Sequence, residues 1–334
     1  MTFAEAVEAI VKAGSFADLA AAAACSKVRD AGPASGDLSD AYHRLVKLVH
    51  PDAAPAGQSA TATAAFAKLS VLWAERATTR KRIATGDIAD LYAHGAGRVL
   101  KLPRSPADND LMAAEAHALR TLHATADPKY RAYAPRLIES VTYEDGSRVR
   151  RTVNVLERLD GFVSLADISR RIDPRDAAWM WRRLLVALGW AHRAGIVHGA
   201  VLPAHILIHP QQHGVVLVDW CYSVAPGMRI AALVANDRDL YPPEVTAREG
   251  ASAATDIYMA TAVMRRLLTS PPAEPPRRLR RTAQRAYGAM TRFADGCLYD
   301  APRMRPQDAW RLLAEFDELL DDLYGRRTFR PFTL

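Results

Sequence analysis

The sequence predicts a multidomain protein in which an all-α helical hairpin is followed by an α+β bilobal domain. The chain has 334 residues, more than a single small core requires. Apolar residues recur at helical spacing until about residue 76. After residue 81 the pattern changes to short β-like pieces, and helices dominate from residue 176 onward. A β-rich stretch followed by a helical one is the order expected of a two-lobed α+β domain.

The composition is that of an ordinary soluble globular protein, with 49% hydrophobic and 24% charged residues. No apolar run is long enough to cross a bilayer. The alanine-rich stretch at residues 19–25 is short and no basic segment precedes it, so we expect no signal peptide, no membrane partner and a cytoplasmic location. Cys25, Cys221 and Cys297 are widely spaced and form no CxxC pair, which favours reduced, buried thiols.

A net charge of +7 raises the question of a nucleic-acid partner. The excess is almost entirely arginine, and apart from a cluster at residues 277–281 these arginines fall mostly on amphipathic helices. The basic residues are not interleaved with aromatic ones as in a nucleic-acid-binding motif. We therefore interpret the arginines as solvated helix faces and expect no nucleic-acid partner.

The first domain is predicted to be helical. Residues 1–30 are rich in alanine and interrupted at Gly14, and a turn-forming cluster follows at residues 32–36. One helix then begins near Asp37, and a second spans residues 61–76. Their apolar stripes are formed by Leu38, Tyr42, Leu45 and Val49 in the first helix and by Phe66, Leu69 and Trp73 in the second. Together they predict an antiparallel hairpin with a polar tip.

The loop between these helices contains His50-Pro51-Asp52, in a setting that resembles a known family. The segments YHRLVKLVHPD and AFAKLSVLWAE are similar to the second helix, loop and third helix of J-domains, over about residues 37–77. The resemblance implies a J-domain at residues 37–80, with residues 1–36 as an N-terminal helical extension or a further part of it. It also implies that the three loop residues stimulate ATP hydrolysis by a DnaK-type chaperone.

The chemistry of the loop suits such a role. Proline restricts the loop backbone, so that His50 and Asp52 present a polar tip to a partner. The preceding helix supplies positive potential toward an acidic partner surface, through His43, Arg44 and Lys47. The alternative is an ordinary helical hairpin whose histidine caps a helix end.

The second domain is predicted to contain five elements. They are a run of short β pieces, a helix, a strand, a second helix and a β-hairpin, at residues 83–102, 108–123, 149–156, 176–194 and 205–218. Acidic residues in the first turn suit the first helix, and Gly195 is a fitting end for the second.

Motifs in this domain, taken in order, resemble those of protein kinases. RVLKL places Lys101 at the end of a strand, similar to the lysine that contacts nucleotide phosphates, and Glu115 stands where the family has its ion-pair glutamate. ATGDIADLY replaces the glycine-rich loop and keeps only Gly86. A loop with one glycine brings fewer backbone amides close to phosphates.

The segment VHGAVLPAHILI resembles the kinase catalytic loop, H-R-D-x-x-x-x-N. Aligned on His198, the base aspartate is Ala200, the usual lysine is Leu202 and the metal-binding asparagine is His205. Ala200 cannot accept a proton, Leu202 supplies no charge, and magnesium prefers oxygen ligands to the His205 imidazole. The resemblance therefore implies a domain without ordinary kinase activity. The same loss disfavours small-molecule phosphotransferases with an H-G-D loop.

Three later motifs continue the resemblance. VVLVDWC is similar to the strand that carries the metal-binding aspartate, here Asp219. YPPEV resembles the end of the activation segment, with Glu244 paired to Arg305. Asp256 matches the aspartate that supports the catalytic-loop backbone.

The resemblance runs over about residues 81–320 and implies a kinase-like N-lobe at 81–158 and a C-lobe at 159–334. The resemblance is also compatible with a binding site for ATP, with or without Mg²⁺. The residues of that site would be Gly86, Lys101, Glu115 and Asp219, with Asp219 as the metal ligand.

Purely structural roles are the alternative to nucleotide binding for these residues. Lys101 and Glu115 could form a structural ion pair, and Asp219 could only cap the hairpin. A transition metal shared by His205 and Asp219 would have too few protein ligands.

The sequence thus favours a non-catalytic adaptor, in which the J-domain recruits a DnaK-type chaperone and the kinase-like domain binds an unknown protein client or a nucleotide. The first alternative is a divergent ATP-dependent protein kinase that uses Asp219, a metal and His205 as base. The second is a pure interaction scaffold.

Overall fold

The computed structural model describes residues 1–14, 16, 18–20, 38–75, 82–125, 127–144, 149–269, 281–326, 328–329 and 331–333. Cys25 and most of the arginine cluster, residues 277–280, lie outside this set. Two compact units divide the chain: the first is residues 1–112 with 138–158, and the second is residues 113–137 with 159–334.

The first unit begins with three helices, α1 (Phe3–Lys12), α2 (Leu38–Val49) and α3 (Ser59–Glu75). A capping box joins Thr2 and Glu5 and starts α1. Each helix packs against the other two. Their shared core is aliphatic and aromatic, and includes Ala6, Ile10, Phe16, Leu19, Tyr42, Leu45, Val49, Leu69 and Trp73. The predicted hairpin is present as α2 and α3, and α1 adds a third helix to it.

Trp73 connects this helical core to the rest of the first unit. Its indole stacks on the Tyr42 ring at 4.4 Å and meets the Phe16 ring edge-on at 4.7 Å. On the other side, its Nε1 donates to Nε2 of His94 at 3.4 Å, just after the second strand of the sheet. The Trp73 ring thus packs within the helical core, while its N–H donates to His94 beside the sheet.

A five-stranded antiparallel sheet completes the first unit. Its strands are β1 (Arg82–Thr85), β2 (Ala89–Ala93), β3 (Arg98–Pro103), β4 (Leu137–Glu144) and β5 (Arg150–Glu157), in the order β1-β2-β3-β5-β4. The buried side chains of Leu100, Val153 and Val155 form the core of one face. β4 was not predicted from the sequence, because it lacks a continuous apolar run and its residues 137–142 are half-buried or exposed.

Helix α4 (Asn109–Thr125) follows β3, and the rest of the second unit is mainly helical. The long helix α5 (Pro174–Arg193) lies at its centre and packs against α7 (Ala253–Thr269) and α9 (Ala309–Tyr324). The remaining elements are β6 (Val163–Ser164), β7 (Ile206–His209), β8 (Gly214–Leu217), α6 (Pro243–Thr246) and α8 (Arg281–Asp295). This is an α+β kinase-like fold, with an antiparallel sheet followed by helices, as the sequence predicted.

Two further expectations concern the chain as a whole. Within the described ranges, no helix has both the length and the apolar character required to span a bilayer. Among the described residues, Cys221 and Cys297 are buried and form no disulfide, and burial raises the pKa of the Cys297 thiol to about 11. A thiol with so high a pKa stays protonated and unreactive at neutral pH.

Candidate functional site

The loop at residues 198–205 is held from beneath by a buried carboxylate. Asp256, fully buried on α7, accepts the backbone N–H of His198 at 2.7 Å and that of Gly199 at 2.9 Å. His192, at the end of α5, lies 2.8 Å from the same carboxylate. Three contacts to one buried acceptor leave this part of the loop little freedom.

Gly199 is required by the local backbone. Its φ is +77°, and a Cβ placed on it would lie 2.6 Å from the carbonyl oxygen of Tyr222. Any other residue at this position would strain the backbone, and its Cβ would collide with the carbonyl oxygen of Tyr222.

The His198 imidazole has a structural role in this loop. Its Nε2 lies 3.0 Å from the carbonyl oxygen of Val218, so Nε2 carries the proton and donates. Its Nδ1 accepts the N–H of Ala200 at 3.3 Å, and the ring packs on Trp220 at 4.6 Å. Burial lowers the pKa of His198 to about 4, which makes it neutral at physiological pH. Both nitrogens are engaged in holding the loop.

The positions that carry kinase chemistry are apolar and closed to solvent. Ala200 and Leu202 are both 0% exposed. Their side chains offer neither a proton acceptor nor a charge at the place where the resemblance requires them.

His205 is brought against Asp219 by the β7–β8 hairpin. Its Nδ1 lies 2.8 Å from the carbonyl oxygen of Ala200, and because a carbonyl can only accept, Nδ1 carries a proton. Its Nε2 lies 3.4 Å from Oδ2 of Asp219. The ring stacks on Tyr222 at 5.6 Å. Nε2 thus faces a carboxylate oxygen, an arrangement that suits a proton or a cation shared between the two side chains.

Asp219 itself is held in an uncommon conformation. Its φ of 60° and ψ of 49° are left-handed, a region that costs energy for any residue other than glycine. Its side chain remains 26% exposed, whereas that of His205 is 8% exposed. Asp219 is thus the polar group of this pair that solvent or a ligand reaches.

These two residues fit a divalent cation only if other ligands complete it. Among the described residues no group of three or more metal-ligating side chains exists. An imidazole whose other nitrogen donates to a backbone carbonyl is oriented as metal-binding histidines are. Water and phosphate oxygens would supply the remaining ligands, and a nitrogen ligand suits manganese or zinc better than magnesium.

The other residues expected at the nucleotide site fall in both units. Lys101 lies on β3 of the first unit, opposite Leu91 of β2, and is 2% exposed. Glu115 lies on α4 in the second unit and is fully buried. Gly86 closes the turn between β1 and β2, donating its N–H to the Ala89 carbonyl oxygen at 2.9 Å. A Cβ at position 86 would lie 3.0 Å from the same carbonyl oxygen, so the tight turn favours glycine here.

Glu244 and Arg305 lie together in the second unit. The guanidinium of Arg305 donates to both carboxylate oxygens of Glu244, at 2.7 and 2.9 Å, with both side chains buried. Thr255 donates to the same carboxylate at 3.0 Å. A bidentate pair of this kind fixes the end of the segment that follows β8.

The tip of the helical hairpin is built differently. A short 3-10 helix, Pro51–Ala53, follows α2, and Nδ1 of His50 accepts the N–H of Asp52 at 3.2 Å. The His50 ring meets Phe66 edge-on at 5.4 Å. The Asp52 side chain is 92% exposed. His50 therefore caps the turn, as the alternative interpretation expected, while the Asp52 carboxylate is open to a partner.

The surroundings of the tip include charges from α2 and from the sheet. The side chains of His43, Arg44 and Lys47 are exposed on α2. Burial raises the pKa of Glu139 on β4, and the charges of Arg98 and His50 oppose that rise.

Sequence reasoning missed His192 and Gly199 as parts of the loop's support. The signals were a histidine at the end of a predicted helix and a glycine within the loop motif. Neither signal shows which acceptor or which close contact the residue meets.

Comparison with known families gives one result over this region. The model of the lipopolysaccharide kinase (Kdo/WaaP) family matches residues 75–223. The match includes Lys101, Glu115, the loop at 198–205 and Asp219, and it begins only at the end of α3, so it does not cover the helical hairpin. No curated protein matches the chain significantly.

Proposed function

We propose that the kinase-like domain binds ATP together with a divalent cation, and that it does not transfer phosphate by the ordinary kinase mechanism. The observation that carries the proposal is the pairing of Asp219 with His205 beside a buried Ala200. The first two residues form half of a cation site, and the third leaves no catalytic base.

The geometry also argues against His205 as a replacement base. Its Nδ1–H is committed to the Ala200 carbonyl oxygen, and Nε2 faces the Asp219 carboxylate. A general base needs a free lone pair within hydrogen-bond reach of the hydroxyl it activates. His205, at 6% exposure, has no such lone pair directed at solvent.

ATP binding is tested by the melting temperature, which rises when a ligand binds only the folded state. We expect millimolar ATP with Mn²⁺ or Mg²⁺ to raise it by several degrees, and Asp219→Asn to remove most of the rise. The resemblance assigns phosphate contact to Lys101, so Lys101→Ala should act likewise. Asp239→Asn, an exposed carboxylate of the same unit, is the matched control. No shift in the wild-type protein would leave structural roles for Lys101 and Asp219.

A second candidate is an active phosphotransferase, favoured by the family match. The matching family is described as acting on lipopolysaccharide, so lipopolysaccharide is the acceptor to test beside generic protein substrates. Transfer of labelled γ-phosphate that is lost in both Asp219→Asn and His205→Ala would support this candidate. It would also replace the non-catalytic interpretation.

The helical hairpin supports a separate proposal, recruitment of a DnaK-type chaperone. It rests on the exposed Asp52 carboxylate at the tip and the basic side chains of α2. His50→Gln should abolish stimulation of a DnaK-type ATPase, whereas the same exchange at the exposed His117 should not. Equal stimulation by wild type and His50→Gln would leave the three helices as a structural extension of the sheet. A client protein for the kinase-like domain remains a prediction of the adaptor hypothesis alone.

A further inference from the structure

We infer that the segment after α9 is a strap that holds the β7–β8 hairpin in place and thereby positions Asp219 for the proposed cation. The inference rests on the cation site proposed above and deepens it. After α9 ends at Tyr324, the chain returns to the turn of the hairpin, at residues 210–213. Three residues of this segment make the described contacts and define the strap: Phe329, Phe332 and Thr333.

The hairpin has little structure of its own to keep it fixed. Each of its strands has four residues, and β6, which pairs with β7, has only two. Short hairpins are marginally stable unless other elements pack on them. The turn is also strained, since His213 has a left-handed φ of 55°. Such a conformation costs energy for a residue other than glycine and persists only where the surroundings hold it. The hairpin therefore depends on what packs against its turn.

The strap supplies part of that packing. Phe332 donates its N–H to the carbonyl oxygen of Pro210 at 3.1 Å, and its side chain is buried at 3% exposure. The ring of Phe329 lies 4.5 Å from the His213 ring. The same imidazole stacks on Trp179 of α5 at 4.1 Å, with the two rings nearly parallel. The strained turn residue is thus in contact with both a long central helix and the strap.

A second anchor fixes the far end of the strap. Arg170, just before α5, donates from Nη2 to the carbonyl oxygen of Thr333 at 2.9 Å. Two hydrogen bonds and one buried phenyl ring are a small set of contacts compared with those of a helix in the core. A segment held in this way opens at a lower cost than the helices do, so it is released while they stay folded.

The other end of the same hairpin carries the proposed cation site. His205 directly precedes β7, and Asp219 follows β8 by two residues. Four residue pairs join the turn to this end, and the last of them is Ile206 with Leu217. Beyond it, the Val218 N–H donates to the His205 carbonyl oxygen at 3.0 Å. These bonds set the 3.4 Å approach of His205 Nε2 to Asp219 Oδ2. Release of the turn should therefore loosen the pair that the cation requires.

The strap is tested with Phe332→Ala in the full chain, by amide hydrogen exchange under native conditions. We expect exchange of the Val218 amide to become about tenfold faster, because local opening of the hairpin becomes more frequent. The amide of Leu185, in the buried centre of α5, should keep its rate. Phe316→Ala is the matched control, since it removes a buried ring that packs on Trp181 in the helical core. It should affect Leu185 at least as strongly as Val218.

Two results would overturn the strap. An unchanged Val218 rate in folded Phe332→Ala protein would mean that loosening at the turn does not reach the site. Equal acceleration at Leu185 and Val218 would mean that the segment stabilises the whole unit and not the hairpin in particular. If Phe332→Ala does not fold, Arg170→Leu removes only the bond to Thr333. That variant should speed up Val218 exchange several-fold, and an unchanged rate would contradict the inference.

The consequence for ligand binding is measured separately, by calorimetric titration with ATP and Mn²⁺. Phe332→Ala should weaken binding about tenfold, whereas a substitution that lowers only stability leaves the affinity of the folded protein unchanged. Faster Val218 exchange with unchanged affinity would overturn the positioning of Asp219. Absence of ATP binding in the wild-type protein would instead contradict the proposed nucleotide site, and Val218 exchange would still decide whether the strap holds the hairpin.

Discussion

The loop at residues 198–205 and the hairpin tip at residues 50–52 both resemble known functional motifs. They differ in which motif residues they retain and in how far those residues are exposed to solvent. The first has lost its acidic residue, and its histidine and alanine are fully buried. The second retains every residue of its motif and exposes its carboxylate. A buried motif is kept in shape by the core whether or not it reacts, whereas an exposed one receives no such support. The preserved shape of the first loop is therefore weak evidence of activity, and the proposal of a partner at the tip rests on the exposure of Asp52.

The largest expected effect is the loss of stability on substitution of Asp256, which supports the buried loop. Asp256→Ala leaves two backbone N–H groups without an acceptor and removes the partner of His192. We expect a loss of about 3–5 kcal/mol in the free energy of unfolding, measured by urea denaturation. Asp239→Ala on the surface should change it by less than about 0.5 kcal/mol. A small loss in Asp256→Ala would mean that the loop does not depend on its buried support.

A second prediction concerns pH and His198. Its pKa is about 4 in the folded protein and 6.5 in the unfolded chain, so the unfolded state binds the extra proton first as pH falls. The stability due to neutral His198 is complete above pH 6.5 and is lost progressively between pH 6.5 and 4, by about 3 kcal/mol. Urea denaturation from pH 7.5 to 4.5 should show a shallower decline in His198→Gln than in the wild-type protein. Parallel profiles would show that His198 is not the group responsible.

A third prediction restores the missing acid. Ala200→Asp places a carboxylate at a fully buried position, which should cost at least about 2 kcal/mol at pH 7. The cost should shrink at acidic pH, since protonation removes the buried charge. We expect no phosphate transfer, because Leu202 and His205 still lack the usual chemistry. Measurable transfer by Ala200→Asp would show that only the base had been lost.

The smallest effect is expected at the hairpin tip. His50→Gln removes one weak cap and an edge contact with Phe66, on a half-exposed residue. The free energy of unfolding should change by about 0.5 kcal/mol or less. The contrast with Asp256→Ala would separate a residue proposed to contact a partner from one that stabilises the fold. A loss above 2 kcal/mol would make His50 structural and weaken the chaperone proposal.

Several features followed from the sequence because they depend on local pattern. The apolar stripes of α2 and α3, the end of α5 at Gly195 and the β7–β8 hairpin all arise from the periodicity and turn residues of short segments. The absence of an acid at position 200 needs no structure either. These properties belong to the residues themselves.

Other features required the tertiary structure. β4 went unrecognised because its half-buried residues lack a continuous apolar run. The proton on Nδ1 of His205 is decided by the carbonyl oxygen of Ala200, five positions away, and the Asp256 contacts join residues 58 and 57 positions apart. The Nε1 atoms of Trp190 on α5 and Trp310 on α9 are buried without an acceptor among the described residues. The sequence determines which groups a chain carries and how each segment folds, while packing over long separations decides which nitrogen is free, which loop is buried and which donor lacks an acceptor.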